Sequence, residues 1–252
     1  MFRTSVIIPM YRCANTFEAT VNSIINQSQP PYEIIAILDG FDTEINDKFM
    51  KANFPDFVKL IRLPKNLGVS NARNIGIRKA TGNLIAFCDS DDIWHPQKLE
   101  LQHELVERGF KLIGTRAKRF SGPEILKFEK INGNFQTKLD NINYGKLKSY
   151  NPFYLSSVLI ARDILGETKF NCGSQQEDYQ FLVELFFSKN FPAVIDQRKL
   201  IGYRVAEGSR SGTIFFSFKN NFFLKKKNFG LFSAIFSIPT YIGLVVLKRY
   251  FK

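Results

Sequence analysis

The 252-residue chain predicts an α/β domain: a Rossmann-like, mostly parallel central sheet flanked by helices, with a basic, aromatic helical tail. Three observations carry that prediction. Short apolar runs recur at residues 5–9, 33–38, 58–63 and 84–88, and Ile34-Ile-Ala-Ile-Leu38 is apolar without alternation, as suits a strand covered on both faces. Stretches with helical spacing stand between them. Three carboxylates, Asp89, Asp91 and Asp92, then crowd the end of the last run, where open α/β sheets bind ligands.

Taken in order, residues 15–27 bring Phe17, Val21, Ile24 and Ile25 to i, i+4, i+7 and i+8, one face of a helix between the first two strands. The third strand follows the second directly. Residues 70–80 form the next helix, with Ala72, Ile75, Ile77 and Ala80 inward and Gly82 just past the end as its C-cap. The order is therefore strand, helix, strand, strand, helix, strand. Residues 115–150 are rich in Lys, Asn and Gly and lack a period, which predicts loops and edge elements over a cleft. A strand-like run returns at 153–161. Residues 178–187 space Phe181, Leu182, Leu185 and Phe186 as one helical face. There is no internal repeat.

Composition narrows the class. With 44% hydrophobic residues the chain can bury a sizeable core. Cys13, Cys88 and Cys172 are odd in number and far apart, suggesting neither a disulfide framework nor a zinc site, so a reducing compartment fits best. The net charge of +12 looks like a nucleic-acid signal until it is divided: residues 198–252 hold eleven Lys or Arg against one acid, Glu207. A groove-reading domain would spread its cations over one face with motifs to match, so no nucleic-acid partner is expected. The N-terminus lacks the pattern of a cleaved signal.

Residues 213–252 contain eleven aromatics and no acid, and 229–247 carry no charge between Lys225-Lys-Lys and Lys248-Arg. Nineteen helical residues reach about 28 Å, near the hydrocarbon thickness. Pro239, Gly230, Gly243 and three hydroxyl residues dilute that stretch, and cations on both sides give no orienting asymmetry. The composition points to a kinked, interfacial or re-entrant helix on an anionic membrane surface. The alternative is a helix docked on the domain or on a second copy of the chain in a homodimer.

Asp89-Ser90-Asp91-Asp92 is the sharpest local feature. Carboxylates so close repel unless a cation sits among them, and oxygen-only ligands favour Mg²⁺ or Mn²⁺ bridging to phosphates. A cap for a helix beginning near Pro96 is the competing explanation. No GxGxxG follows the first strand and no GxxxxGK[ST] is present, which argues against dinucleotide oxidoreductases and P-loop enzymes. The single Arg12 is too little for a nucleotidylyltransferase phosphate loop.

Residues 5–100 closely resemble the donor-binding half of family 2 glycosyltransferases with the GT-A fold, of the kind that build bacterial surface polysaccharide and lipopolysaccharide. Val6-Ile-Ile-Pro-Met-Tyr11 resembles their first strand and turn, Glu33 to Gly40 the "EIIVVDDG" strand, Asn66 to Asn74 the "N-x-G-x-x-x-ARN" segment, and Phe87 to Asp92 the "FLDSDD" metal site. The resemblance implies that Pro9, Met10 and Tyr11 border the nucleotide base and that Asp39 accepts from its imide N–H, which favours uracil. It puts Arg73 near the base or diphosphate, with a structural ion pair as the alternative. It puts Asp89 at the ribose, with Ser90 beside it in the donor site, and makes Asp91, with Asp89, the ligand of Mn²⁺ or Mg²⁺. Asp92 becomes a supporting or capping residue.

Gln175-Gln-Glu-Asp-Tyr-Gln180 resembles the family's "ED" motif, which makes Asp178 the general base and Glu177 an acceptor-orienting neighbour. One base and one metal suffice for a single displacement, which inverts the anomeric centre. The competing explanation for these two acids is stabilisation of a helix dipole. Two departures stand out. Leu38 replaces the first acid of "DDG", and the segment 202–212 has Ala206 and Glu207 where many members hold a histidine, leaving Arg210 or Ser209 for the diphosphate. The absent QxxRW argues for one sugar per acceptor, and His103 reads as a helix-surface residue.

The implied enzyme moves a single sugar from a nucleotide-sugar, by preference a UDP-sugar, to a glycan or lipid-linked acceptor at the cytoplasmic face of the inner membrane. Its domain would span 1–212, with a donor half at 1–114 and an acceptor half at 115–212, and the tail at 213–252 would meet the membrane. The rival from another class is a non-catalytic membrane-surface scaffold with a degenerate nucleotide site. Retention of both Asp91 and Asp178 speaks against it.

Overall fold

The computed structural model describes residues 1–122, 126–131, 137–174, 176–188 and 190–205. The expected tail and the segment holding Glu207, Ser209 and Arg210 lie outside them. Among the described residues no helix is long and apolar enough to cross a membrane.

The first half alternates β1 (Thr4–Met10), α1 (Phe17–Ile25), β2 (Glu33–Leu38), α2 (Thr43–Lys51), β3 (Val58–Arg62), α3 (Val69–Lys79) and β4 (Leu84–Phe87). β1 lies between β2 and β4, β2 lies between β1 and β3, and all three pairs are parallel. Val6, Ile8, Ile34 and Ala36 pack on the side of α1 with Phe17, Val21 and Ile24, while Ile7, Ile35, Ile37 and Phe87 pack on the other side with Ala72 of α3. Both faces are covered, which accounts for the unbroken apolar runs. Each fully buried large side chain contributes about 1.5–3 kcal/mol.

Three features of this half differ from expectation. α2 is an additional helix; only Ile45 and Phe49 are buried in it, too few to mark a period, and it is started by the Asp42 carboxylate accepting from Ile45 N–H at 3.0 Å. α3 turns Ala72, Arg73, Asn74 and Gly76 inward, leaving Ile75 and Ile77 partly buried. Its Gly76 is required by contact, since a Cβ there would lie 2.3 Å from the Ile7 side chain. Gly82 is not a helix cap: α3 ends at Lys79 with Ala80 as its C-cap, and Gly82 runs so close to β1 that a Cβ would meet the Arg3 carbonyl at 2.2 Å.

The second half adds β5 (Ile93–Trp94), α4 (Lys98–Glu107), β6 (Leu112–Phe120), β7 (Leu139–Ile142), α5 (Tyr144–Ser149), a single 3-10 turn at Leu155–Ser157, β8 (Leu159–Ala161), α6 (Arg162–Leu165), α7 (Glu177–Ser188) and β9 (Ala193–Arg204). The region expected as loops thus contains most of the nine-residue β6, whose charged outer end hides its strand character. The run at 153–161 is divided between the three-residue 3-10 turn and the three residues of β8. All nine strands join one sheet in the order β3-β2-β1-β4-β8-β6-β9-β5, with β7 on β9. Parallel pairing dominates the first half; β8 is antiparallel to β4 and β6, and β5 and β7 are antiparallel to β9. His103 is not on the surface. It is buried on α4, with Nε2 2.9 Å from Thr4 Oγ1 and Nδ1 2.8 Å from Gln29 Oε1, and burial pushes its pKa down to about 4.

Candidate active site

A cleft of about 500 Å³ opens at the carboxyl ends of β1, β2 and β4. Pro9, Met10 and Tyr11 form one wall; Met10 is fully buried, whereas Tyr11 is half exposed as the chain leaves the strand. Asp39, at the end of β2, is 3% exposed, and its two oxygens accept from Leu67 N–H at 2.7 Å and Gly68 N–H at 2.8 Å. One carboxylate thereby shapes the loop 66–68 that lines the cleft before α3 begins. Gly68 holds a φ of +88°, a left-handed conformation that glycine adopts without strain.

Asp89, Ser90 and Asp91 form the floor. Asp89 accepts from Arg73 Nη2 at 2.7 Å, and its N–H donates to Ser156 Oγ at 3.0 Å. No cation pairs with the Asp91 side chain among the described residues. Burial, and then the charge of Asp89, push the Asp91 carboxyl above the usual range. Asp92 is fully buried, and burial and then Asp89 drive its pKa well up; one oxygen accepts from Arg204 N–H at 3.0 Å and the other makes no hydrogen bond among the described residues. Neither Asp91 nor Asp92 caps α4, whose N-cap position is Gln97.

Arg204, at the end of β9, grips this acidic turn from behind. Its Nε donates to the Asp91 carbonyl at 3.0 Å, and its guanidinium lies 4.4 Å from the Phe120 ring centroid. Sequence reasoning missed it, as it missed Leu67, Gly68, Val69 and Ser70 along one side of the cleft and Cys172, Gly173 and Ser174 along another. Only the loop's match to a family segment signalled any of these; nothing local marks the others.

Arg73 lines the cleft, yet its guanidinium is committed to two carboxylates: Nη2 to Asp89, and Nη1 to Glu177 Oε1 at 3.0 Å. The ion pairs of the alternative are thus present, in a residue that also lines the cleft. Burial opposes its charge, and the two acids more than offset that, so its pKa is raised. Asp178 follows Glu177 in the first turn of α7 and accepts from Asn151 Nδ2 at 3.3 Å. It is not among the cleft-lining residues. Burial and then Glu177 raise its pKa above the ordinary 3.8. All eight residues expected around the donor thus share one cleft, Glu177 joins them through Arg73, and Asp178 stands beside Glu177.

The floor suits a divalent ion. Asp91 faces the open cleft with a raised pKa, Asp89 stands two residues away, and Mg²⁺ or Mn²⁺ is usually held by one or two carboxylates with waters and substrate phosphates. Among the described residues no group of three or more His, Cys, Asp or Glu side chains is placed to hold a metal ion, so a cation here would depend on waters and substrate phosphates beside one or two carboxylates.

The chain is similar to known proteins in both sequence and fold. The sequence model described as "Glycosyl transferase family 2" matches residues 5–162. An Escherichia coli protein, UDP-Glc:alpha-D-GlcNAc-diphosphoundecaprenol beta-1,3-glucosyltransferase WfgD, is 28% identical over 215 residues, 85% of this chain and 81% of its own. Among solved structures, Staphylococcus aureus TarS 1-349 in complex with UDP-GlcNAc superposes with a TM-score of 0.69 at 16% identity, over 90% of this chain and 66% of that one. The mannosyltransferase PcManGT from Pyrobaculum calidifontis, in complex with GDP-Man and Mn²⁺, gives 0.69 at 16%, over 99% and 76%.

Proposed function

The chain belongs to glycosyl transferase family 2 and has the GT-A fold, and from that premise we propose that it is an inverting, metal-dependent enzyme that transfers one sugar from a UDP-sugar to a lipid-linked or glycan acceptor. The observation that carries this reading is the shared cleft: the ends of β1, β2 and β4 bring Tyr11, Asp39, Asp89 and Asp91 around one volume. The WfgD relative, whose name specifies UDP-glucose and a diphosphoundecaprenol acceptor, supports the donor and acceptor classes.

In this reading Pro9, Met10 and Tyr11 flank the uracil, and the lone pairs of Asp39 left over from the loop accept its imide proton. Asp89 and Asp91 would hold Mn²⁺ or Mg²⁺, which would supply positive charge to offset that developing on the departing diphosphate. The acceptor hydroxyl attacks the anomeric carbon from the face opposite the diphosphate, and the Asp178 carboxylate takes its proton. Asn151 donates to one oxygen of Asp178 and helps to hold the carboxylate in place. One displacement and one base give inversion. Two adjoining expectations belong to the same proposal: residues 1–212 form the catalytic domain, and 213–252 carry it to the cytoplasmic face of the inner membrane.

The test is turnover of a panel of UDP- and GDP-sugars with Mn²⁺ or Mg²⁺, beside Asp91→Asn and Asp178→Asn. Loss of turnover in both variants is expected; wild-type rates in both would refute the site. Truncation after residue 212 is expected to abolish binding to anionic vesicles, and unchanged binding would refute the role of the tail.

A further inference from the structure

We propose that Arg73 is a positioning residue that ties the candidate general base to the donor floor, so that α3 acts as the seam between the two halves of the site. This rests on the glycosyl-transfer reading for its chemical consequence and on geometry for the link itself. Arg73 is 4% exposed and ion-pairs with Asp89 from the end of β4 and Glu177 from the start of α7, 104 residues away in sequence. Its neighbours on α3 reach across the same boundary. Asn74 grips Phe170 in both directions, donating to its carbonyl and accepting its N–H, each at 2.8 Å, and Ser70 Oγ donates to the Asn171 carbonyl at 3.2 Å.

Beneath the guanidinium lies an aromatic floor drawn from the same three regions. The Phe170 ring sits 5.3 Å from the Arg73 guanidinium, stacks on Phe181 of α7 at 4.1 Å and meets Phe87 of β4 edge-on at 5.3 Å. Phe87 precedes Asp89 by two residues, and Phe181 follows Asp178 by three. The start of α7 is therefore fixed relative to the end of β4 by an ion pair above and ring packing below. A small shift of a reacting group costs about 10²-fold in rate, so such a fixture has a measurable purpose.

The experiment is a double-mutant cycle of Arg73→Lys and Glu177→Gln, read by steady-state kinetics with the donor that wild type turns over, by pH profile and by melting temperature. A lysine cannot reach two carboxylates as a guanidinium fork does. Arg73→Lys is expected to lower kcat about 100-fold while KM for the donor changes less than about threefold. Glu177→Gln in that background should cost less than about threefold more, because the link is already cut. The acid limb should move to lower pH in Glu177→Gln, which removes a negative neighbour of Asp178, and to higher pH in Arg73→Gln, which removes a positive one.

Independent, multiplicative losses would overturn the proposal, as would a KM rise with kcat intact, which would make Arg73 a simple donor contact. If wild type turns over none of the panel, the glycosyl-transfer reading fails. The melting cycle then decides the bridge alone: non-additive losses support it, and additive losses overturn it.

Discussion

Two pairs of neighbouring acids face each other across Arg73, and they are built alike. In the floor pair Asp89 takes the guanidinium and Asp91 is left with a raised pKa; in the α7 pair Glu177 takes it and Asp178 is left raised. The surroundings of the remaining carboxylate differ. Asp91 looks into the cleft with no side-chain ion pair among the described residues, whereas Asp178 sits behind Glu177 with an amide donor from Asn151. On the proposed reading, the same local chemistry gives one group the part of holding a cation and the other the part of receiving a proton. The difference comes from what the rest of the fold puts next to each.

The most severe way to probe that contrast is Asp91→Asn. It should reduce turnover by about 10³-fold or more and remove the Mn²⁺ enhancement of UDP binding seen by calorimetry. Asp178→Asn should cost about 10²–10⁴-fold in kcat and leave metal-enhanced UDP binding intact. Swapped outcomes would mean that the two pairs exchange roles.

A smaller effect separates geometry from charge. Asn151→Ala removes one hydrogen bond to Asp178 and should slow turnover about 3- to 10-fold. Because that donor favours the ionised carboxylate, its loss should raise the pKa of Asp178 further. A base must be deprotonated, so the acid limb of kcat/KM should shift to higher pH than in wild type. An unmoved limb would detach Asn151 from the base.

The smallest effect is structural and uses a third carboxylate as reference. Burial alone would push Glu33 up, yet Lys59, Thr81 and Ser5 hydrogen-bond it and bring its pKa down to about 2. Its folded value lies below the ordinary 4.5, so its contribution is complete above pH 4.5 and is lost as pH falls toward 2. Glu33→Gln should cost ~1–3 kcal/mol at pH 7 and much less at pH 2, measured by denaturant unfolding at both values.

The donor side was legible because its signals are local. The strand runs, the α1 face and the turn at Asp89 to Asp92 each lie within a dozen residues, and their chemistry follows from their neighbours in sequence. α7 and its acids were legible for the same reason. The rest of the site was not, because it is made at long range: Arg73 meets Glu177, Asn74 meets Phe170 and Arg204 meets Asp92 across roughly a hundred residues each. α3 is the clearest case. Its helical period was readable, but its inward face is polar because those side chains cross to the other half, and a search for an apolar face selects Ile75 and Ile77 instead. α2 went unread for the converse reason, offering only two buried apolar residues.

The strand order bears on how such a protein can be recombined. β4 and β5 stand on either side of β8, β6 and β9, although only the acidic turn separates them in the chain. A chimera that exchanges everything after residue 114 with a relative would not join two modules at a linker. It would have to knit strands of alternating parentage into one sheet, along two separate seams, and keep Arg204 in reach of the turn it holds. Short pieces that line the cleft, such as 66–70 or 171–174, could be exchanged without cutting any strand of the sheet.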